Sequence, residues 1–143
     1  MYQTPMEIAE SMQHGDETAR TRALEIYDEL FRDGDETACF NAGILCHNNG
    51  NFKKASFYLK KLPTNPEACQ LLGYYYLYGM GMKKSKMMAL TWFRRGALAG
   101  DATCQLEAGK LLLGHEDFEC AAHLRSAKNN GMEEAAKLLE MEL

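Results

Sequence analysis

The chain has 143 residues, 46% hydrophobic and 25% charged, with a formal net charge of −4; this composition suits one globular domain with a sizeable core and excludes a disordered or collagen-like chain. No run approaches the ~18 consecutive apolar residues of a membrane span, and the start Met1-Tyr2-Gln3-Thr4-Pro5-Met6-Glu7 lacks the basic and then apolar stretches of a secretory signal. The expectation is a cytoplasmic chain with no membrane contact. The five cysteines, Cys39, Cys46, Cys69, Cys104 and Cys120, are odd in number and lack zinc-knuckle spacing, which fits a reducing compartment and no structural metal.

Helix-like segments recur along the chain at intervals of roughly 30 residues. Thr4-Pro5 opens the first, through Met6, Ile8, Ala9 and Met12, because threonine caps a helix and proline fits its first turn. Ala23, Ile26 and Tyr27 carry the second, ending at Gly34. Ala38, Ala42 and Gly43 open the third, and Asn51-Phe52-Lys53-Lys54-Ala55-Ser56-Phe57-Tyr58-Leu59-Lys60-Lys61 forms a fourth that ends at Pro63. Pro66 starts a fifth, with Ala68, Leu72, Gly73 and Tyr76, closed by the turn Gly79-Met80-Gly81-Met82. Ala89, Trp92, Phe93 and Ala97 mark a sixth, up to Gly100. Cys104, Ala108, Gly109 and Leu112 then repeat the fifth segment's frame. After a shortened turn, Gly114-His115-Glu116-Asp117, residues Cys120, His123, Leu124, Ala127 and Gly131 repeat the sixth. A last helix, Glu133 to Leu143, sets Ala135, Ala136, Leu138 and Leu139 on one side and Glu133, Glu134, Lys137, Glu140 and Glu142 elsewhere.

Small residues (Ala68, Gly73, Ala89, Ala97) stand at helical spacing beside large ones (Leu72, Tyr76, Trp92, Phe93), a pattern that lets two helices approach and interlock. Gly15, Gly34, Gly50, Gly79, Gly81, Gly100, Gly114 and Gly131 fall between the periodic segments, where a residue tolerating positive φ stops a helix. One hairpin cannot bury its apolar face alone, so the units must stack and the ends must be capped. The expected organisation is a single domain over residues 1–143, with units near 4–34, 35–64, 65–100 and 101–131 and a cap over 132–143.

The central unit carries Ala68, Leu72, Gly73, Tyr76, Gly79, Gly81, Ala89, Trp92, Phe93, Ala97 and Gly100 in one frame, with Met82 and Gly96 at two substituted positions. It resembles the Sel1-like repeat (SLR). Residues 35–64 look more like a tetratricopeptide repeat, and the resemblance covers about residues 20 to 135. It implies an all-α fold, a right-handed α-α superhelix or solenoid of about four helix hairpins plus a C-terminal capping helix. It also implies that the first helix of each hairpin lines a concave surface. Mapped onto this chain, that surface comprises Phe40, Ile44 and His47; Gln70, Tyr74, Leu77 and Tyr78; and Leu106, Lys110 and Leu113. An apolar, aromatic groove of this kind accepts a peptide or helix of another protein.

The charge is unevenly placed. Residues 1–51 carry three Arg against ten Asp/Glu, residues 52–95 carry nine Lys/Arg against Glu67 alone, and residues 96–143 carry four against nine. The basic band, Lys53, Lys54, Lys60, Lys61, Lys83, Lys84, Lys86, Arg94 and Arg95, suits an acidic protein partner. Its acidic flanks and the pI of about 5.6 speak against nucleic acid.

Catalysis has no visible carrier: no Ser/His/Asp set or acid pair stands out, and His14, His47, His115 and His123 lie mostly near helix ends or loops. Gly79-Met80-Gly81-Met82-Lys83-Lys84 lacks the strand and remaining glycine of a phosphate loop. Neither Cys46-His47 nor Cys120 with His123 has a second pair to complete a metal site. The leading expectation is a non-catalytic adaptor without a cofactor; a self-associating homodimer is the alternative, followed by an enzyme or metalloprotein.

Overall fold

The computed structural model describes residues 2–113 and 118–142, and every regular element among them is an α-helix. The Gly114-His115-Glu116-Asp117 turn, with its glycine and histidine, lies outside the described residues. The chain forms two compact units, Met1–Leu62 and Pro63–Leu143. The first holds α1 (Pro5–Met12), α2 (Glu17–Arg32), α3 (Glu36–Asn48) and α4 (Phe52–Leu59). The second holds α5 (Pro66–Tyr78), α6 (Lys86–Leu98), α7 (Ala102–Leu111), α8 (Phe118–Asn129) and α9 (Glu133–Glu142). Helices pair as α1/α2, α3/α4, α5/α6 and α7/α8, and α9 packs on α8.

Local chemistry sets the starts of these helices. Thr4, Asp16, Asp35, Asn51, Asn65, Ser85 and Asp101 each accept a backbone N–H from three residues on, and Thr4 with Glu7 completes a capping box. Each such cap satisfies a donor that the helix leaves open, worth about 1 kcal/mol. The stops follow the glycines less uniformly than expected. Gly34, Gly50, Gly79, Gly81, Gly100 and Gly131 have positive φ, whereas Gly15 does not, although its N–H donates to the carbonyl three residues back as those of Gly34, Gly50, Gly100 and Gly131 do. At Gly79, φ is 68° and ψ is 42°, the left-handed region where a side chain is strained.

The hairpins are held by a repeated interlock. A Cβ placed on Gly43 of α3 would lie 2.7 Å from Leu59 Cδ2 of α4. On Gly73 of α5 it would lie 2.6 Å from Phe93 Cδ1 of α6, and on Gly109 of α7, 2.6 Å from Leu124 Cδ2 of α8. In these three hairpins the missing side chain of the first helix is the seat of a large one from the second. Leu59, Phe93 and Leu124 are all fully buried. Successive hairpins of the second unit use the same device, since Gly96 of α6 is seated against Cys104 of α7, with Cys104 Cβ 2.9 Å from the virtual Cβ.

In the first unit, Ala9, Ala23, Tyr27, Ala38, Cys39, Leu45, Tyr58 and Leu59 form the interior. The Tyr58 hydroxyl donates to Asp28 Oδ1 at 3.1 Å and the Tyr27 hydroxyl to Gln13 Oε1 at 3.1 Å, so each buried phenol has a partner. In the second unit, Ala89, Phe93, Ala97, Cys104 and Ala108 form one cluster. Leu106, Leu112, Cys120, Leu124, Ala127 and Ala135 form another, with Leu138 and Leu139 of α9 against it. The terminal helix thus covers the last hairpin's apolar side.

Candidate functional site

The expected groove residues fall at fixed offsets from the interlock glycines. Phe40, Ile44 and His47 stand at −3, +1 and +4 from Gly43. Gln70, Tyr74 and Leu77 stand so from Gly73, and Leu106, Lys110 and Leu113 from Gly109. The glycine faces its own hairpin partner; the +1 position turns about 100° away from it, whereas −3 and +4 fall within about 60° of it, nearer the hairpin interface.

In the first unit Phe40, Ile44 and His47 are half-buried along α3. The His47 ring meets Phe52 edge-on, centroids 5.5 Å apart.

The second unit brings several expected residues together. Tyr74 and Tyr78 of α5 stack with rings 6.0 Å apart and 7° from parallel, and Tyr74 also meets Phe93 edge-on at 5.3 Å. Tyr78 is 60% exposed, an open aromatic face on an anchored neighbour. The Tyr74 hydroxyl donates to Glu107 Oε1 of α7 at 3.3 Å. Lys110 Nζ bridges Glu107 at 3.6 Å and Glu134 of α9 at 3.3 Å. Burial, then the Glu107 charge and hydrogen bond, push the Tyr74 phenol up. Burial alone lowers Lys110, but Glu107 and Glu134 outweigh it and the ammonium is held above its ordinary value. Tyrosines, two carboxylates and one ammonium therefore converge from α5, α7 and α9.

One groove expectation is corrected. Leu106 is only 3% exposed and lies in the cluster with Cys120, Leu124 and Ala135, so it serves the core and offers nothing to a partner. Leu113 and Leu77 are half-buried against the two clusters, and Gln70 is half-buried on α5. Glu107 and Glu134 were not among the expected site residues. The signal for Glu107 was its place three residues before Lys110, a spacing at which opposite charges meet on a helix.

The basic residues divide between the units. Lys53, Lys54, Lys60 and Lys61 are exposed on or just after α4. Lys61 lies over the Phe57 ring at 5.5 Å, and Lys54 borders a 310 Å³ depression with Glu17, Arg20, Thr21, Leu24 and Asn49. Lys83, Lys84, Lys86 and Arg95 are exposed in the second unit. Arg94 is committed to Glu119 of α8 by two hydrogen bonds, at 2.5 and 2.7 Å, and Glu119 also meets His123 Nε2 at 3.1 Å. The Arg94 hydrogen bond, foremost, holds the Glu119 carboxyl below its ordinary value.

The cysteines are buried thiols, and burial pushes Cys39 up to about 11. Among the described residues no group of three or more His, Cys, Asp or Glu side chains converges on a metal position, and no helix is long and apolar enough to cross a membrane.

No family model matches the chain, and no curated protein matches it. Solved structures do resemble it, two of them repeat proteins of the Sel1 type. A Sel1 repeat protein from Oxalobacter formigenes is 24% identical with a TM-score of 0.69, over 83% of this chain and 98% of that one. A protective antigen of uropathogenic Escherichia coli strains, displaying an SLR fold, is 26% identical with a TM-score of 0.74. That match covers 97% of this chain and 33% of the antigen, so this chain spans about a third of its length.

Proposed function

We propose that this chain, a helical repeat protein with the Sel1-like fold, is a protein-interaction module without catalytic function that receives a peptide or helix of a partner protein on the first-helix face of its second unit. The observation that carries the reading is the Tyr74–Tyr78 stack. Tyr74 is fixed by Phe93 and Glu107, so Tyr78 presents a large apolar surface that loses little freedom on binding. Glu107 is buried and holds Tyr74 from α7, and the exposed Glu134, paired with Lys110, is the acceptor open to a partner's N–H groups.

The test is affinity capture with the wild-type chain, identification of the bound protein, and calorimetry against Tyr78→Ala and Glu134→Gln. Tyr78 and Glu134 are solvent-facing, so both variants keep the core intact, unlike changes at Tyr74 or Leu77. Loss of a central aromatic anchor weakens binding by roughly tenfold or more. Unchanged affinity in both variants refutes the site. A dimer in sedimentation that Tyr78→Ala dissolves makes a second copy of the chain the occupant.

A further inference from the structure

The second helix of the central hairpin carries a surface that its own fold does not use. Met87 and Leu98 of α6 are 79% and 89% exposed, and Met88 is 37% exposed. Eleven residues make about three helical turns, so Met87 and Leu98 point the same way about 16 Å apart. At the Leu98 end lies a shallow depression of about 420 Å³, lined by Pro63, Thr64, Arg95, Leu98 and Ala99. Its walls are mostly apolar and it has room for a large side chain.

Arg95 gives this surface its charge preference. Its guanidinium lies 4.5 Å from the Trp92 ring centroid, and it has no ion pair among the described residues. Stacking limits its freedom while leaving the edge donors of the planar fork to meet a carboxylate. The surroundings reinforce the sign. No Asp or Glu occurs between residues 68 and 100, whereas Lys83, Lys84, Lys86, Arg94 and Arg95 do. Arg94 is neutralised by Glu119, so the uncompensated charge of α6 rests on Arg95 and the lysines at its N-terminal end.

We propose that this face of α6 is a second docking site, separate from the tyrosine face, for an acidic segment of a partner protein. An Asp or Glu of that segment pairs in bidentate fashion with Arg95, and a neighbouring apolar side chain lies in the depression against Leu98 and Pro63. A cationic segment is repelled here, and a neutral one gains only the apolar contact.

Trp92 is the chain's only tryptophan, so its emission reports occupation of Arg95. The full chain is titrated with a blocked octapeptide alternating glutamate and leucine, up to about 1 mM, and with its lysine-for-glutamate counterpart. Affinity is also read by anisotropy of the labelled peptide, which does not depend on Trp92. The expected result is that the acidic peptide binds and shifts the emission while the basic one does neither. Arg95→Gln and Leu98→Ser, both at exposed positions, each weaken binding at least about tenfold. Raising the salt from about 50 to about 500 mM weakens it further, and Tyr78→Ala leaves it unchanged, so this site stands or falls apart from the tyrosine face. No binding of the acidic peptide, equal binding by wild type and both variants, or binding only to phosphatidylserine vesicles overturns the proposal.

Discussion

Replacing Gly73 by alanine tests the interlock. In an isolated helix the change helps, because alanine is favoured over glycine in a helix interior by about 1 kcal/mol. Here the new Cβ lies 2.6 Å from both Cδ1 and Cζ of Phe93, against the ~3.5–4.0 Å at which carbons rest. The ring must withdraw by about 1 Å, yet Phe93 is fully buried and Tyr74 stands against it at 5.3 Å. Overpacking of this kind costs about 1–3 kcal/mol, and a rigid ring with no exit belongs at the upper end. Net of the helix gain, Gly73→Ala destabilises by about 2 kcal/mol, a fall in melting temperature of about 4–8 °C for a chain of this size. Urea unfolding followed by circular dichroism and Trp92 emission measures it. Pairing the change with Phe93→Leu opens the seat, and the cycle shows a favourable coupling of about 1 kcal/mol or more. A Gly73→Ala protein as stable as wild type, or more stable, refutes the interlock as the device that holds the hairpin.

On Gly109 an added Cβ would lie 2.6 Å from Cδ2 and 2.7 Å from Cγ of the fully buried Leu124, an aliphatic side chain less rigid than a ring, so the same assay gives a loss of about 1–2 kcal/mol. Glu107→Gln removes a charge that raises the Tyr74 phenol; carbon NMR of labelled tyrosines then shows Tyr74 titrating at lower pH, and an unmoved titration rules out their contact. Glu119 sits below its ordinary 4.5, so its contribution is present above that pH and is lost as pH falls through the depressed value. Its carboxylate is 35% exposed, which keeps the effect near 1 kcal/mol or below, and Glu119→Gln should flatten that part of the acid stability curve. For Cys39, raised from 9.0 to about 11, the sign is opposite. Stability is intact below pH 9 and is lost as pH rises towards 11. At pH 7 only about one such thiol in ten thousand is ionised, so a thiol reagent should leave the folded chain unlabelled until denaturant is added; rapid labelling of the folded chain contradicts the burial.

The repeat was legible because it rests on local frame. Gly73 four residues before Leu77, and Phe93 four residues after Ala89, mark positions that any close helix pair must fill with small and large groups. Legibility fails where a side chain's fate depends on a neighbour far along the chain. Leu106 shares the −3 offset of Phe40 and Gln70, yet it is buried in a cluster that includes Ala135 of α9; its own helix gives no sign of that cover. Arg94 and Arg95 are adjacent and look alike in sequence, but Glu119, 25 residues from Arg94, pairs with Arg94 and not with Arg95, while Arg95 turns onto Trp92. Charge counting finds the band but cannot separate a spent arginine from an available one.

The same interlock explains where binding chemistry can vary. A glycine at positions 43, 73 and 109 is demanded by the side chain it receives, so those sites carry no chemical choice. One residue on, a helix has turned about 100°, and the side chain leaves the hairpin interface. There the chain places an aliphatic Ile44, an aromatic Tyr74 and a cationic Lys110 on equivalent positions of the same scaffold. Packing tolerates all three because each lies at a boundary, half-buried or exposed. Tyr74 differs in reaching across to Glu107 of α7, which links two first helices and couples the Tyr74–Tyr78 pair to the spacing of its hairpins. Under the proposed docking, a partner on Tyr78 would load the Tyr74–Glu107–Lys110–Glu134 chain as a unit, and a cut at Glu107 should soften the whole face, whereas a cut at Glu134 removes only its outer edge.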